Sequence, residues 1–360
     1  MTTQPQHDAN RQNAETSAAA LISAPDTTGT ATALTVSDAQ PASGGTPHLL
    51  GLFAIPLGVA GLGSTWTAAH AALSAAQWPS EALYGVSLVA WAVLTLTYLA
   101  GGLRAPRTFA DDREHAIYGP FAAYIPVIAI LLAAHYEQHA HVVGKIAVAV
   151  FVAALVTVAA QLLAHWLLGN VPVATFHPGY LLPTVAGAFI ASIGLSACGW
   201  HRAAVGAFGV GVFFWLSIGT LIVNRLFTGG PLPDAIKPSL SVLVSPPATA
   251  GLAWLMINRA RIDPVGYSLL SIVAMLLLVQ VLFFGEYRRL RFTTNFWAFT
   301  FPVAASTTLA VRWLSIEQFG YWSACAWALV AITTTAVLVL AAVTVADAQR
   351  GRRRRGALAS

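Results

Sequence analysis

The side chains that could do chemistry in this chain are few, and their spacing points away from catalysis. His135, His139 and His141 stand beside Glu137 in HYEQHAH, a grouping with metal-ligand character. It falls in a short connection between apolar runs, which predicts a solvated face without a fixed coordination shell, and no metal site is expected. His177, in FHPGY, precedes a proline at the start of an apolar run, a position that suits an interfacial or helix-capping role. Neutral hydroxyls recur through other apolar runs, among them Ser64, Thr65, Thr184, Ser192, Ser241, Thr249 and Ser306. Donors of this kind, with basic residues at the ends of the runs, suit weak binding of an anion better than of a cation. Each hydroxyl can equally bond a carbonyl of its own helix. In NFWAFTFPVAASTTLAVR, from Asn295 to Arg312, the bulky Phe301 adjoins Pro302, and Ala304, Ala305 and Thr308 one turn later are small. A large ring facing small side chains has the shape of a plug in a narrow passage, and equally that of a packed core phenylalanine.

The elements that must position these groups follow from composition. Hydrophobic residues make up 57% of the chain and charged residues 9%, where a soluble domain carries about 25% charged. That is the balance of a polytopic membrane protein, and it leaves little length for a soluble enzyme domain. The net charge of +5 resides at the ends of apolar runs and in the terminal run Arg352 to Arg355, so it reads as a topology and lipid-headgroup signal and not as nucleic-acid binding. Cys198 and Cys325 lie inside apolar segments and imply neither a disulfide framework nor a metal site. No cofactor is expected: there is no nucleophile elbow, phosphate loop or HExxH motif.

Ten apolar stretches of about 20 residues, enough to cross a bilayer, can be marked at 49–70, 82–102, 116–136, 143–166, 178–200, 203–227, 238–258, 264–286, 292–312 and 321–346. Residues 1–47 read as a disordered polar tail without a cleaved signal peptide, 48–346 as the transmembrane domain, and 347–360 as a basic tail. With both termini on one side, 14 of the 19 lysines and arginines collect on that side and 5 on the other. The positive-inside rule then places both ends in the cytoplasm of a cell inner (plasma) membrane protein. No span interior carries a charge; Arg225, Glu286, Arg312 and Asp347 are expected near span ends, where they can snorkel.

Prolines add a second pattern. Pro56, Pro120 with Pro126, Pro183, Pro246 with Pro247, and Pro302 fall in the odd-numbered spans, and the even-numbered spans are read as containing none. From Pro56 through Pro120, Pro183 and Pro246 to Pro302 the steps are 64, 63, 63 and 56 residues, the period of a helical hairpin used five times. Small residues follow, including Gly58, Gly187 and Ala305. A proline-broken backbone is tolerated in a membrane only where protein or water satisfies the freed carbonyls. The expected fold is therefore an all-α membrane protein of ten transmembrane helices, the odd-numbered ones forming an inner pore ring and the even-numbered ones an outer ring against lipid.

These features together resemble the tellurite-resistance and C4-dicarboxylate transporter family, which includes the plant slow-type guard-cell anion channels. The resemblance covers about residues 48–346 and rests on the hairpin repeat, FHPGYLLPTVAG at 176–187, VSPPATAGLAW at 244–254 and FWAFTFPVAAS at 296–306. It implies a homotrimer in which each protomer has its own pore, occluded by a phenylalanine of the ninth helix. Phe301 matches that position best, with Phe296 and Phe299 as alternatives. The polar tail of 47 residues has no counterpart in that pattern. The implied function is an anion-selective channel for small inorganic or organic anions. The alternative is a secondary carrier exporting C4-dicarboxylates such as malate, sulfite or tellurite-related oxyanions. A membrane enzyme or sensory scaffold is disfavoured by the lack of a catalytic cluster and of an attached signalling domain.

Overall fold

Proline placement sets the shape of each buried helix. A computed structural model describes residues 48–105 and 107–359; the polar tail expected over 1–47 lies outside them. In chain order the long helical spans are α1 (Leu49–Leu73), α2 (Trp78–Arg104), α3 (Gly119–Tyr136), α4 (His141–Leu167), α5 (Pro178–Ala197), α6 (His201–Thr228), α7 (Lys237–Ile257), α8 (Pro264–Leu282), α9 (294–317) and α10 (Trp322–Ala359). A short helix, Arg107–Glu114, lies between α2 and α3. Among the described residues there is no strand, and all of these spans except α9 are long and apolar enough to cross a membrane. The chain is a multi-pass membrane protein. α9 stands apart because its α-helical part, Thr300–Glu317, carries Ser306, Thr307, Thr308 and Arg312, and their polar face is turned into protein.

The prolines do not bend the middles of helices. Pro56, Pro126 and Pro302 each occupy the third residue of an α-helical segment, Ala54–Leu73, Tyr124–Tyr136 and Thr300–Glu317. Pro246 and Pro247 are the second and third residues of Ser245–Ile257. In the first turn the missing N–H had no intrahelical partner, so proline costs nothing there. Tighter 3₁₀ turns precede three of these segments, at Gly119–Ala123, Lys237–Val244 and Thr294–Phe299. Pro120 sits in the first of these turns. Pro183 opens a π-helical turn, Leu182–Ala186, ahead of Gly187–Ala197. At Pro126, Pro183, Pro246 with Pro247 and Pro302 the helix thus changes type near the start of the α-segment, whereas Pro56 follows an α-helical turn, Leu49–Leu52; Pro126, not Pro120, holds the place equivalent to Pro302. Pro79 and Pro264 occur in even-numbered helices, also within the first turn.

Burial separates the two sets. The most apolar windows of α1, α3, α5 and α7 are 61% to 83% buried, while those of α2, α4, α6, α8 and α10 are 11% to 17% buried. Val89, Leu96, Val150, Leu216, Leu278 and Leu338 project from the latter set as exposed large apolar side chains, the surface that a hydrocarbon solvent requires. Small residues let the buried helices approach one another. A Cβ at Gly58 would overlap the Thr300 side chain, and one at Gly251 would come within 2.7 Å of Leu309.

Two polar side chains pin the start of α5. His177 is fully buried; its Nδ1 accepts from the Gly179 N–H at 3.1 Å, and its Nε2–H donates to the Ile117 carbonyl at 3.1 Å. The capping role read from FHPGY is what the structure shows. Burial pushes the imidazole down to about 4 from 6.5. The unfolded chain binds this proton between pH 6.5 and 4 and the folded chain does not, so the stabilisation is complete above about pH 6.5 and is lost as pH falls toward 4. It amounts to something on the order of 3 kcal/mol. His177→Gln is expected to flatten the decline of thermal stability across that window, read from melting curves of the purified protein at stepped pH; an unchanged slope would remove His177 as its source.

Arg225 was expected to snorkel. Instead it is buried, with Nε–H donating to the Ala174 carbonyl at 3.2 Å and Nη1 to the Gly230 carbonyl at 3.0 Å. The guanidinium folds back because two loop carbonyls on either side of it lack other partners, and a charged donor satisfies both. Arg225→Met should cost about 3 kcal/mol, two charge-assisted bonds at roughly 1.5 kcal/mol each, measured as a lowered melting temperature.

Candidate functional site

Each buried helix contributes to one narrow cavity of about 70 Å³. Its wall takes Gly61 and Ser64 from α1, Leu131 from α3, Ile190 from α5, Thr249 from α7 and Phe301 from α9. The α9 contribution is a single stripe: Phe301, Ala305, Thr308 and Arg312, spaced i, i+4, i+7, i+11, which is one face of a helix. At the opposite end from Phe301, Arg312 and Met256 also line a wider cavity of about 580 Å³, together with Ser196, Arg259 and Ser315. The two spaces meet at Arg312.

Phe301 is 7% exposed and lies against Gly61, where an added Cβ would stand 3.0 Å from its ring. The ring fits only because α1 has no side chain there. Phe296 and Phe299, the alternatives for this place, belong to the 3₁₀ turn before the α-segment and stack toward Phe292 and Tyr287. Of the other residues read as pore-lining or kink-forming, Ala305 joins Phe301 on the cavity wall. Pro56, Gly58, Pro120, Pro126, Pro183, Gly187, Pro246, Pro247 and Pro302 lie off it. They shape and pack the helices that carry the wall.

The hydroxyls are mostly committed. Thr308 donates to the Ala304 carbonyl at 2.8 Å, Thr249 to Ser245 at 2.8 Å and Ser306 to Pro302 at 2.7 Å. Thr65 reaches both the Gly61 and Ala304 carbonyls, and Ser64 pairs with the Tyr84 hydroxyl at 2.7 Å. Arg312 is the exception to this closure and to its expected snorkelling. Its Nε is buried without a hydrogen-bond partner, and among the described residues its guanidinium has no ion pair. Sequence reading placed Arg312 at a span end because hydropathy ran out there; the helical stripe from Phe301 was the signal that could have found it. Gly61 was missed because its role is a contact with Phe301, 240 residues along the chain.

The histidine cluster is not a solvated face throughout. His135 is buried in the last turn of α3, stacked on Tyr84 with ring centroids 3.7 Å apart, and its Nε2 lies 3.2 Å from Glu81 Oε2. His141 pairs separately with Glu137 at 3.0 Å. The acids divide the histidines, and among the described residues no group of His, Cys, Asp and Glu has a metal-holding arrangement.

A family model described as voltage-dependent anion channel matches residues 50–345. The chain belongs to this family. The match takes in α1 through most of α10, including every helix that lines the cavity. Among curated relatives, the tellurite resistance protein TehA homolog of Haemophilus influenzae is 23% identical over 274 residues, covering 73% of this chain and 80% of that protein. The guard cell S-type anion channel SLAC1 of Arabidopsis thaliana is 27% identical over 158 residues, 44% of this chain and 28% of that protein. The S-type anion channel SLAH3 of the same plant is 24% identical over 167 residues, 46% of this chain and 26% of that protein. The matched segment thus spans little more than a quarter of either plant channel.

Proposed function

We propose that this family member is an anion-selective channel for small anions, with one conduction path per protomer along the shared cavity and the Phe301 ring closing it. The observation that carries this reading is the convergence of all five odd-numbered helices on one cavity that Phe301 lines. α1, α3, α5, α7 and α9 act as the inner ring, and the exposed apolar helices face lipid. Arginines at the path, Arg259 and Arg312, favour anions over cations through the local field. Both termini lie in the cytoplasm, as the distribution of positive charge favours, and the assembly is a homotrimer, to be checked by the mass of the detergent-solubilised complex.

The test is flux through reconstituted liposomes, with chloride, nitrate, sulfite and malate compared in one preparation. Passive, anion-selective flux that rises without saturation supports the channel. Saturating flux with counterflow and dependence on a proton gradient would replace it with a carrier of dicarboxylates or oxyanions. Cation flux equal to anion flux would overturn both.

A further inference from the structure

Within that anion-transport reading, on which this inference rests, we propose that Arg312 is a binding site for a small oxyanion, held where the narrow cavity opens into the wide one. Arg312 lines both spaces, so an ion passing between them meets its guanidinium. The hydroxyls on the cavity wall are engaged, Thr249 and Thr308 donating to carbonyls and Ser64 sharing a hydrogen bond with the Tyr84 hydroxyl, which leaves Arg312 as a donor with unspent N–H groups. Arg312 is half-buried, with its Nε sealed from water and unpartnered, and a guanidinium so placed with no carboxylate beside it among the described residues is stabilised by a counter-charge. The residues lining the wide cavity include a second cation, Arg259, and no acid, so the counter-charge must be a mobile anion.

The shape of the donor selects among anions. A guanidinium presents parallel N–H groups in a planar fork that matches two oxygens of one ligand. A trigonal oxyanion such as nitrate or sulfite meets that fork with two bonds, whereas chloride can offer only one centre. The narrow cavity, at about 70 Å³, exceeds the roughly 10–15 Å³ that one water needs, so a small oxyanion fits beside Arg312.

The experiment measures thermal unfolding of the full-length protein in detergent, with gluconate replaced stepwise by nitrate at constant ionic strength. A ligand bound only to the folded state raises the melting temperature in proportion to the logarithm of its concentration once that concentration exceeds Kd. The wild type is expected to show this rise, setting in at a lower concentration for nitrate than for chloride. Arg312→Gln should weaken the nitrate response about tenfold or more, and Arg312→Lys, which keeps the charge without the fork, should lose the preference of nitrate over chloride. An unchanged nitrate response in Arg312→Gln, or none in the wild type, overturns the site and leaves Arg312 solvated by water. Should Arg312→Gln fail to fold, Arg312→Lys decides: retained nitrate preference overturns the proposal. Because binding is read without transport, a protein that binds nitrate at Arg312 but conducts nothing would separate this site from the channel reading.

Discussion

Phe301→Ala is expected to raise anion current by about tenfold or more, which corresponds to removing roughly 1.4 kcal/mol or more of barrier. The ring is buried at 7% exposure and seated against Gly61, in a cavity where Ala305 and Thr308 below it are small. Truncation joins the space the ring occupied to the cavity beneath, and α1 presents only Gly61 to the ring on its side. A phenylalanine that merely packed a core would behave otherwise, since its loss would cost about 3–5 kcal/mol of stability and open no path. The two outcomes separate in planar bilayers or oocytes when surface expression is measured in parallel. Unchanged conductance at normal expression would return Phe301 to the role of a core residue.

The second large effect belongs to the contact between α1 and α9. A Cβ at Gly58 would overlap the Thr300 side chain and stand 3.4 Å from the Trp297 ring. Thr300 cannot swing away freely, because it is buried and its hydroxyl donates to the Trp297 carbonyl at 2.7 Å. Gly58→Ala must therefore push the two helices apart, and overpacking of this kind costs about 1–3 kcal/mol. A lowered melting temperature and reduced yield of folded protein are expected. Since the collision is with a side chain, Gly58→Ala combined with Thr300→Gly should recover stability beyond the sum of the single changes. A Gly58→Ala protein that melts like the wild type would show that the helices are not held this closely.

Much of the fold could be read in one dimension. A bilayer imposes a length of about 20 apolar residues on every crossing helix, so spans could be marked by hydropathy alone. Only α9 escaped that criterion in the folded chain, because Ser306, Thr307, Thr308 and Arg312 are sheltered by neighbouring helices and not by their own apolarity. The alternation of prolines likewise predicted which helices are buried, since a donor-free backbone and small residues are useful only where protein approaches closely. His177 could be read as a cap because capping is local: donor and acceptor lie two residues apart.

The candidate site was legible only in part. Phe301 and Ala305 could be named from their place beside Pro302, but three phenylalanines within six residues competed for one role, and a 3₁₀ turn ending at Phe299 decided which face each presents. The hydroxyls could not be ranked, because a serine or threonine donates either to its own helix or to a ligand, and the choice depends on which carbonyls are otherwise satisfied. Arg225 and Arg312 carry the same side chain near span ends; one is consumed by the Ala174 and Gly230 carbonyls and the other meets open space. By itself the sequence determined the membrane-spanning character and the buried set of helices, which follow from hydropathy and short-range backbone chemistry, while its motifs and hairpin repeat carried the resemblance to the family. Tertiary structure alone decided that Gly61 seats Phe301 and that Arg312 stands unpartnered between two cavities, because both depend on distances between side chains drawn from helices far apart in the chain.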